Sequence, residues 1–387
     1  MHETLDIDYN PEQMQANLLR LQARNSRRYA DRVPVGFCLE ARFFTPLFGM
    51  PYRAFFANAR EQYHWTLQFL KMRIEQIPED IVCCSPTLTV RPYFDNVIDS
   101  DALGAQTVYP ENETLHAIPT IRSVEQMEAF EVPPPDAGLW GVVRDWWSEM
   151  RTLAEATRLT FNGHPGRVEV APLTGGALSP FSLAVDLVGV DFYAWILEYP
   201  EACHVFLDKI TTALLANERY FRSIDPRPRG GYGMAEDSAL ILSEAQFRQF
   251  CVPYDLRLYE AIGGDSPYGR GMHMCGDSRH LHRVLVEDLQ ITSFDVFGYV
   301  VEPEVVAANL GGRTLLWGNI DPMLMKDGTP AAVRAAADHA LQVLAPCGGF
   351  MLGDGANVCP GTPLRNLAVL TEAAEAYGVP EGDLQGA

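Results

Sequence analysis

The sequence has no apolar run long enough to span a bilayer, although 47% of its 387 residues are hydrophobic. Its start, Met1-His2-Glu3-Thr4, lacks the basic and then apolar pattern of a signal peptide. Basic residues are few, 30 against 50 acidic ones, and the net charge of -20 disfavours binding to nucleic acid or anionic lipid. These absences predict a cytoplasmic protein that acts on a small molecule, with no nucleic-acid or membrane partner.

A disulfide framework is also absent. The eight cysteines are scattered along the chain, as expected for reduced thiols in a cytoplasmic enzyme. They are Cys38, Cys83, Cys84, Cys203, Cys251, Cys275, Cys347 and Cys359. Most of them are predicted to be packing residues.

Short apolar runs alternate with longer amphipathic ones from residue 33 onward, which is typical of βα units around a parallel sheet. Eight such runs predict a closed (β/α)8 TIM barrel, with a doubly wound open sheet as the alternative. The predicted strands are residues 33–39, 80–84, 168–172, 231–235, 271–275, 292–296, 314–317 and 349–352. The predicted helices are residues 55–77, 200–223, 243–262, 278–285, 330–344 and 363–377.

Two segments fall outside this alternation. Residues 1–32 are polar and helix-forming, and they predict an N-terminal helical extension over the bottom of the barrel. Residues 106–136 contain several prolines and predict an excursion after the second strand. Because the chain shows no internal repeat and no low-complexity tract, residues 33–387 are predicted to form one barrel domain.

Polar residues at the ends of the predicted strands are the first candidates for chemistry, because barrel active sites lie at the C-terminal ends of the strands. Carboxylates dominate this set, and any one of them would equally suit a helix cap or a surface loop. Arg42 is its one obvious cation. The set comprises Glu40, Arg42, Thr174, Glu236, Asp237, His273, Cys275, Asp295, Asn319, Asp321 and Asp354.

The most informative pair is His273 and Cys275, two residues apart at the end of a predicted strand. Side chains at i and i+2 of a strand point to the same side. An imidazole nitrogen and a thiolate sulfur directed at one point make half of a zinc site, whereas the alternative is that both residues pack under the strand end. His280 and His282 follow on different faces of the next predicted helix, and we expect structural or solvated roles for them.

The final predicted unit is rich in glycine around Asp354, and Thr362 and Pro363 begin its helix. With this unit, the chain resembles the uroporphyrinogen decarboxylase superfamily over about residues 30–380. The supporting motifs, in family order, are 173–181 with Leu183 and Ala184, Ala235-Glu236-Asp237, His273-Met274-Cys275-Gly276, Gly318-Asn319-Ile320-Asp321-Pro322 and 361–367. That superfamily contains tetrapyrrole decarboxylases and corrinoid-dependent methyltransferases.

The decarboxylase branch carries an arginine-rich motif after its first strand that binds the acidic porphyrinogen. The matching stretch here, residues 37–43, has only Arg42, with Glu40 close by. An acidic protein with so few cations is poorly suited to an octacarboxylate substrate.

The methyltransferase branch resembles this chain better, since its zinc ligands are a His-x-Cys pair and a cysteine in a Gly-Cys-Gly after the last strand. His273 and Cys275 match the pair, but Ala356 stands at the third position when the final segment is counted back without a gap. The resemblance therefore implies zinc on His273 and Cys275, with Asp354 or Cys359 as the third ligand.

The activity implied is a zinc-dependent transfer of a methyl group between a corrinoid and a thiol or another small acceptor. The corrinoid would be methylcobalamin, free or on a partner corrinoid protein, and zinc would hold a thiol as the thiolate. Glu236 is a candidate fourth ligand.

Two alternatives stay open. In a decarboxylase or lyase of a small carboxylic acid, Arg42 would fix the carboxylate and Asp237 or Asp354 would handle protons. In a noncatalytic binding protein, the barrel would persist without the third ligand. The sequence leaves the oligomeric state open.

Overall fold

The structure is a computed structural model that describes residues 3–263 and 269–380, in which strands and helices alternate. The strands are β1 (Thr4–Ile7), β2 (Thr87–Val90), β3 (Gln106–Val108), β4 (His116–Ile118), β5 (Arg158–Phe161), β6 (His164–Val170), β7 (Tyr232–Ala235), β8 (Arg270–His273), β9 (Ser293–Asp295), β10 (Leu315–Ile320) and β11 (Phe350–Asp354). The α-helices are α1 (Pro11–Asn25), α2 (Ala41–Phe44), α3 (Ala59–Gln76), α4 (Ile98–Ala102), α5 (Val124–Glu128), α6 (Gly138–Ala156), α7 (Pro180–Val188), α8 (Phe192–Glu198), α9 (Pro200–Ile224), α10 (Glu244–Phe250), α11 (Val252–Leu258), α12 (His282–Glu287), α13 (Pro303–Leu310), α14 (Pro322–Asp327), α15 (Pro330–Leu344) and α16 (Leu364–Tyr377).

The largest sheet contains the five parallel strands β7 to β11, each beside its neighbour in sequence. A parallel bridge between Val35 and Leu352 places the predicted first strand beside β11, and another between Leu178 and Ala235 extends the sheet beyond β7. Parallel neighbours need helical crossovers, and most of the helices after β7 supply them. The fold is therefore a TIM-barrel-like α/β arrangement.

A second sheet contains β2 and β6, which pair in parallel, together with β5 and β1 on its far side. The N–H of Asp80 donates to the carbonyl of Val35 at 2.8 Å, but no strand ladder joins Val35 to β2 within the described residues. The hydrogen-bonded ring of strands is thus not closed there, and the closed (β/α)8 barrel stays a prediction.

Six of the eight predicted strands overlap β6 to β11, and the first is reduced to the bridge at Val35. The prediction of a strand at 80–84 was wrong, because those residues form bends and β2 begins only at Thr87. The cause is Asp80, whose buried carboxylate accepts from two nitrogens of Arg32 at 2.7 and 2.9 Å and from the N–H of Val35 at 2.7 Å. That network turns the chain where the apolar run alone indicated a strand.

Helix α15 has the predicted bounds. It begins at Pro330 because the Thr329 side chain accepts from the N–H of Ala332 and proline suits the first turn. The predicted helix 243–262 is divided instead into α10, α11 and a π-helical turn, Tyr259–Gly263. Pro253, near the start of α11, lacks the N–H that a continuous helix would need. The sequence did not predict α6 or the β3–β4 hairpin in the excursion 106–136.

The N-terminal segment contains β1 as well as the predicted helix, α1. Arg24 donates to the carbonyl of Leu316 at 3.1 Å, at the start of β10. The Tyr29 hydroxyl donates to the carbonyl of Ala345 at 3.0 Å and accepts from the N–H of Phe350 at 3.1 Å, at the start of β11. The segment therefore contacts the N-terminal ends of the strands, opposite the end that carries the candidate site.

Helices α7 and α8 meet at an angle of 108° and together have the length and apolar composition of a bent membrane span. Most residues of α7, including Phe181 and Leu183, are buried in the protein core. Within residues 3–263 and 269–380, no single helix is long and apolar enough to cross a membrane.

Candidate metal centre

Three side chains converge at the C-terminal ends of β7 and β8. They are Asp237, His273 and Cys275, whose potential ligand atoms all lie within 4.8 Å of one another. The parallel register sets Ala235 opposite His273. Asp237 and Cys275 each come two residues later, so they lie beside each other just beyond the ends of β7 and β8. Adjacent strand ends thus bring an oxygen, a nitrogen and a sulfur donor together.

Hydrogen bonds orient the three groups. The Nδ1 atom of His273 lies 3.0 Å from the carbonyl oxygen of Asp295, which can only accept, so Nδ1 carries the proton. Nε2 then presents its lone pair 3.6 Å from Oδ2 of Asp237. The other carboxylate oxygen of Asp237 accepts from the N–H of Cys275 at 2.7 Å. The His273 and Asp237 side chains are 29% and 40% exposed, which leaves the cluster open to a ligand.

The Cys275 thiol lies in surroundings that disfavour its anion. Burial, followed by the nearby charge of Asp237, raises the pKa of Cys275 to about 12. At neutral pH the thiol is therefore protonated unless a cation is bound beside it.

Asp354, one of the two candidates for the third ligand, lies outside this cluster. It is the last residue of β11, is fully buried, and accepts from the N–H of Cys38 at 2.9 Å through Oδ1. Burial raises the pKa of Asp354 to about 7, and its Oδ2 has no hydrogen-bond partner in the described residues. Its carboxyl group is thus enclosed beside the first predicted strand.

Cys359, the other candidate, is also outside the cluster. Its sulfur lies 3.9 Å from the sulfur of Met323, in the turn before α16. Among the predicted ligands, the structure brings together His273 and Cys275, and it adds Asp237, to which the sequence assigned proton transfer.

Glu236 precedes Asp237 but is fully buried away from the cluster. Its Oε1 accepts from the Ser182 hydroxyl at 2.9 Å, and burial raises its pKa to about 8. The nearby carboxyl of Asp255 is also fully buried, and burial raises its pKa well above the usual range. These two buried carboxyls therefore favour their protonated forms.

Arg42, the predicted carboxylate clamp, lies on α2 and faces Glu113 of the excursion at 3.8 Å. The histidines after β8 are held by protein groups, as expected for structural roles. His280 Nε2 lies 2.9 Å from the carbonyl oxygen of Leu242, and His282 bonds with Ser278 and Asn309. Burial lowers the pKa of His282 to about 4.

Sequence reasoning missed Arg91, the residue immediately after β2. Arg91 borders three cavities, of about 460, 160 and 230 Å³. The rule that strand ends carry function would have identified it, but the second strand was placed at 80–84 and Arg91 therefore was not considered a strand end.

A TIM-barrel-like fold with polar side chains at its C-terminal strand ends has the layout of a barrel enzyme. The family model described as "Uroporphyrinogen decarboxylase (URO-D)" matches residues 89–377, and the chain belongs to that family. The predicted family is thereby confirmed.

Similar proteins include decarboxylases and a methyltransferase. The chain is 24% identical to uroporphyrinogen decarboxylase of Chlorobium phaeovibrioides over 72% of this chain and 77% of the relative. It is 26% identical to uroporphyrinogen decarboxylase of Xanthomonas axonopodis pv. citri, over 92% of this chain and 97% of the relative. A solved methyltransferase from Methanosarcina mazei matches with a TM-score of 0.67 and 19% identity, covering 94% of this chain and 98% of that one. The structural match supports the shared fold.

Proposed function

We propose that this protein is a zinc-dependent methyltransferase that moves a methyl group between a corrinoid and a thiol or another small acceptor. The observation that carries the proposal is the convergence of Asp237, His273 and Cys275 within 4.8 Å. Oxygen, nitrogen and sulfur donors are all zinc ligands, and three protein ligands leave one position for a substrate atom. The similarity in fold to the Methanosarcina mazei methyltransferase agrees with this proposal.

The electrostatics of the cluster suit a bound cation. His273 Nε2 and Asp237 Oδ2 lie 3.6 Å apart, so a positive charge placed between them, a proton or a metal ion, would be attracted to both. The same charge would reverse the pKa shift of Cys275, because a metal ion favours the thiolate. The donor set therefore fits zinc.

When bound, zinc would supply a positive charge that lowers the pKa of a substrate thiol. The chain's own residues would hold the centre: the Asp295 carbonyl fixes the His273 ring, and Asp237 ties its carboxylate to the backbone of Cys275. The proposal includes a closed (β/α)8 barrel, with the corrinoid, free or on a partner protein, approaching the exposed C-terminal end of the strands. It also places the reaction in the cytoplasm.

A decarboxylase or lyase of a small carboxylic acid is the second candidate. The uroporphyrinogen decarboxylase relatives favour it, at 24% and 26% identity. So does Asp354, whose pKa of about 7 suits proton transfer near neutral pH.

The decisive experiment measures zinc in the purified protein and follows the cobalamin spectrum with methylcobalamin and a panel of thiols. We expect roughly one zinc per chain and zinc-dependent demethylation, both largely lost in Cys275→Ser. Cys347→Ser, a change at a half-buried thiol outside the cluster, is the matched control. Equal zinc in both variants would contradict the proposal. Carbon dioxide release from a small acid, without demethylation, would favour the second candidate.

A further inference from the structure

Arg91 occupies an unusual position in this fold. It is the first residue after β2, its side chain is exposed, and it lines cavities of about 460, 160 and 230 Å³. Because one residue borders all three, the cavities are neighbours around Arg91.

The other arginines in these linings are occupied by the protein. Arg73 donates to the carbonyl of Phe37 at 2.7 Å and pairs with Glu79. Arg229 donates to the carbonyl of Leu173 at 2.6 Å and lies 3.5 Å from Glu218. Arg91, by contrast, has no hydrogen bond or ion pair with any group in residues 3–263 and 269–380. Its five N–H donors are therefore available to a ligand.

The largest of these three cavities, of about 460 Å³, has the lining of a site for a flat, apolar molecule. Burial raises the pKa of the Cys38 thiol well above its usual range, so this part of the wall is neutral at physiological pH. Aromatic rings form much of the remainder, and two of them, Phe44 and Phe69, stack with centroids 5.2 Å apart. The aromatic lining residues are Phe37, Phe44, Phe55, Phe69, Tyr93 and Trp317.

The charges favour a carboxylate over a phosphate. Glu40 lines two of the cavities with Arg91, so positive charge is not concentrated there, and burial raises the pKa of Glu40, which weakens its repulsion of a bound carboxylate. A doubly charged phosphate would require additional free cations, whereas a single arginine matches the two oxygens of one carboxylate.

We propose that Arg91 binds the carboxylate of a small organic acid whose flat apolar body lies against the aromatic wall of the 460 Å³ cavity. Any role of this acid in methyl transfer rests on the proposed function. Its binding to Arg91 is independent of that function. The cation that anchors a small acid is then Arg91 and not Arg42, which lines none of the three cavities.

The test measures binding of benzoate and 2-naphthoate to the full chain by calorimetry and by saturation-transfer NMR. Benzamide is the uncharged analogue, and inorganic phosphate is the competing anion. The variants are Arg91→Gln and Arg91→Lys, with Arg122→Gln as the control. Arg122 is also exposed but lines none of the three cavities.

We expect at least one of the two aromatic acids to bind, and Arg91→Gln to weaken it by about tenfold to a hundredfold, as loss of a charged hydrogen-bond donor does. Arg91→Lys should restore part of the affinity, and Arg122→Gln should leave it unchanged. Phosphate should not compete.

Three results would overturn the inference: no saturable binding of either acid, equal binding of benzoate and benzamide, or full affinity in Arg91→Gln. Phosphate binding that depends on Arg91 would overturn the carboxylate assignment. None of these measurements involves zinc or cobalamin, so their failure is separate from failure of the proposed function.

Discussion

Asp237 and Asp354 are carboxylates at the C-terminal ends of the two outermost strands of the five-stranded parallel sheet, β7 and β11, and each accepts one backbone N–H, at 2.7 and 2.9 Å. Their surroundings differ. Asp237 is 40% exposed and faces His273, whereas Asp354 is fully buried and has one oxygen without a partner in the described residues. The comparison shows that exposure and neighbours, more than position at a strand end, decide whether a carboxylate suits a ligand or retains its proton.

The largest expected effect that tests this comparison is on zinc affinity in Asp237→Asn. This change keeps an oxygen for the N–H of Cys275 but removes the negative charge from the cluster. We expect zinc affinity to fall by more than about a hundredfold, because a direct ligand should cost more than a supporting group, whose loss costs about 10–100-fold. Competition with a chelator of known affinity measures it.

His273→Gln should lower zinc affinity in the same assay and serves as the positive control. If Asp237→Asn binds zinc as tightly as the unmodified protein, Asp237 is not a zinc ligand and the proposed donor set is wrong.

The second prediction concerns the pH dependence of stability set by Asp354. Burial raises the pKa of Asp354 from 3.8 to about 7, so between these pH values the folded state holds a proton that the unfolded chain releases. Stability from this group is therefore complete below the unfolded pKa and is lost as pH rises towards 7, by up to a few kcal/mol. Asp354→Asn should remove this loss and give a flatter profile.

Urea unfolding of both proteins at pH 5 and pH 7.5 measures the difference. Glu111→Gln, a change at an exposed acid, should retain the slope of the unmodified protein. A slope in Asp354→Asn that equals that of the unmodified protein would show that the buried carboxyl is not the source.

The smallest effect is expected for Cys359→Ser. Because the Cys359 sulfur lies near Met323 and outside the cluster, zinc content should not change, and stability should change by less than about 0.5 kcal/mol. Metal analysis and thermal unfolding provide the two readouts. Loss of zinc would restore Cys359 as the third ligand, as the resemblance to the methyltransferases suggested.

Much of the C-terminal half was predictable from sequence. Strands β7 to β11 are parallel and each contains buried apolar residues, so they appear in the sequence as apolar runs between helices. The start of α15 was predictable because Thr329 and Pro330 act locally, within one turn.

The predictions that were wrong or incomplete depend on contacts between residues far apart in the sequence. The bend at Asp80 depends on Arg32, 48 residues earlier, and the pairing of Asp237 with Cys275 spans 38 residues. The sequence indicated His273 and Cys275 because their spacing is local, but Asp237 joins them only through the register between β7 and β8. Arg91 was missed for the same reason, since a misplaced strand also misplaces its end.

The Tyr29 hydroxyl accepts from the N–H of Phe350 and donates to the carbonyl of Ala345, so it connects the segment before the predicted boundary at residue 32 to the start of β11. A chain cut there would leave a buried amide at the start of β11 without its acceptor, at a cost of about 1–3 kcal/mol. The free energy of local opening at β11 would fall, so its amide hydrogens would exchange with solvent faster. The N-terminal segment thus acts as a clamp on the strand that ends at Asp354.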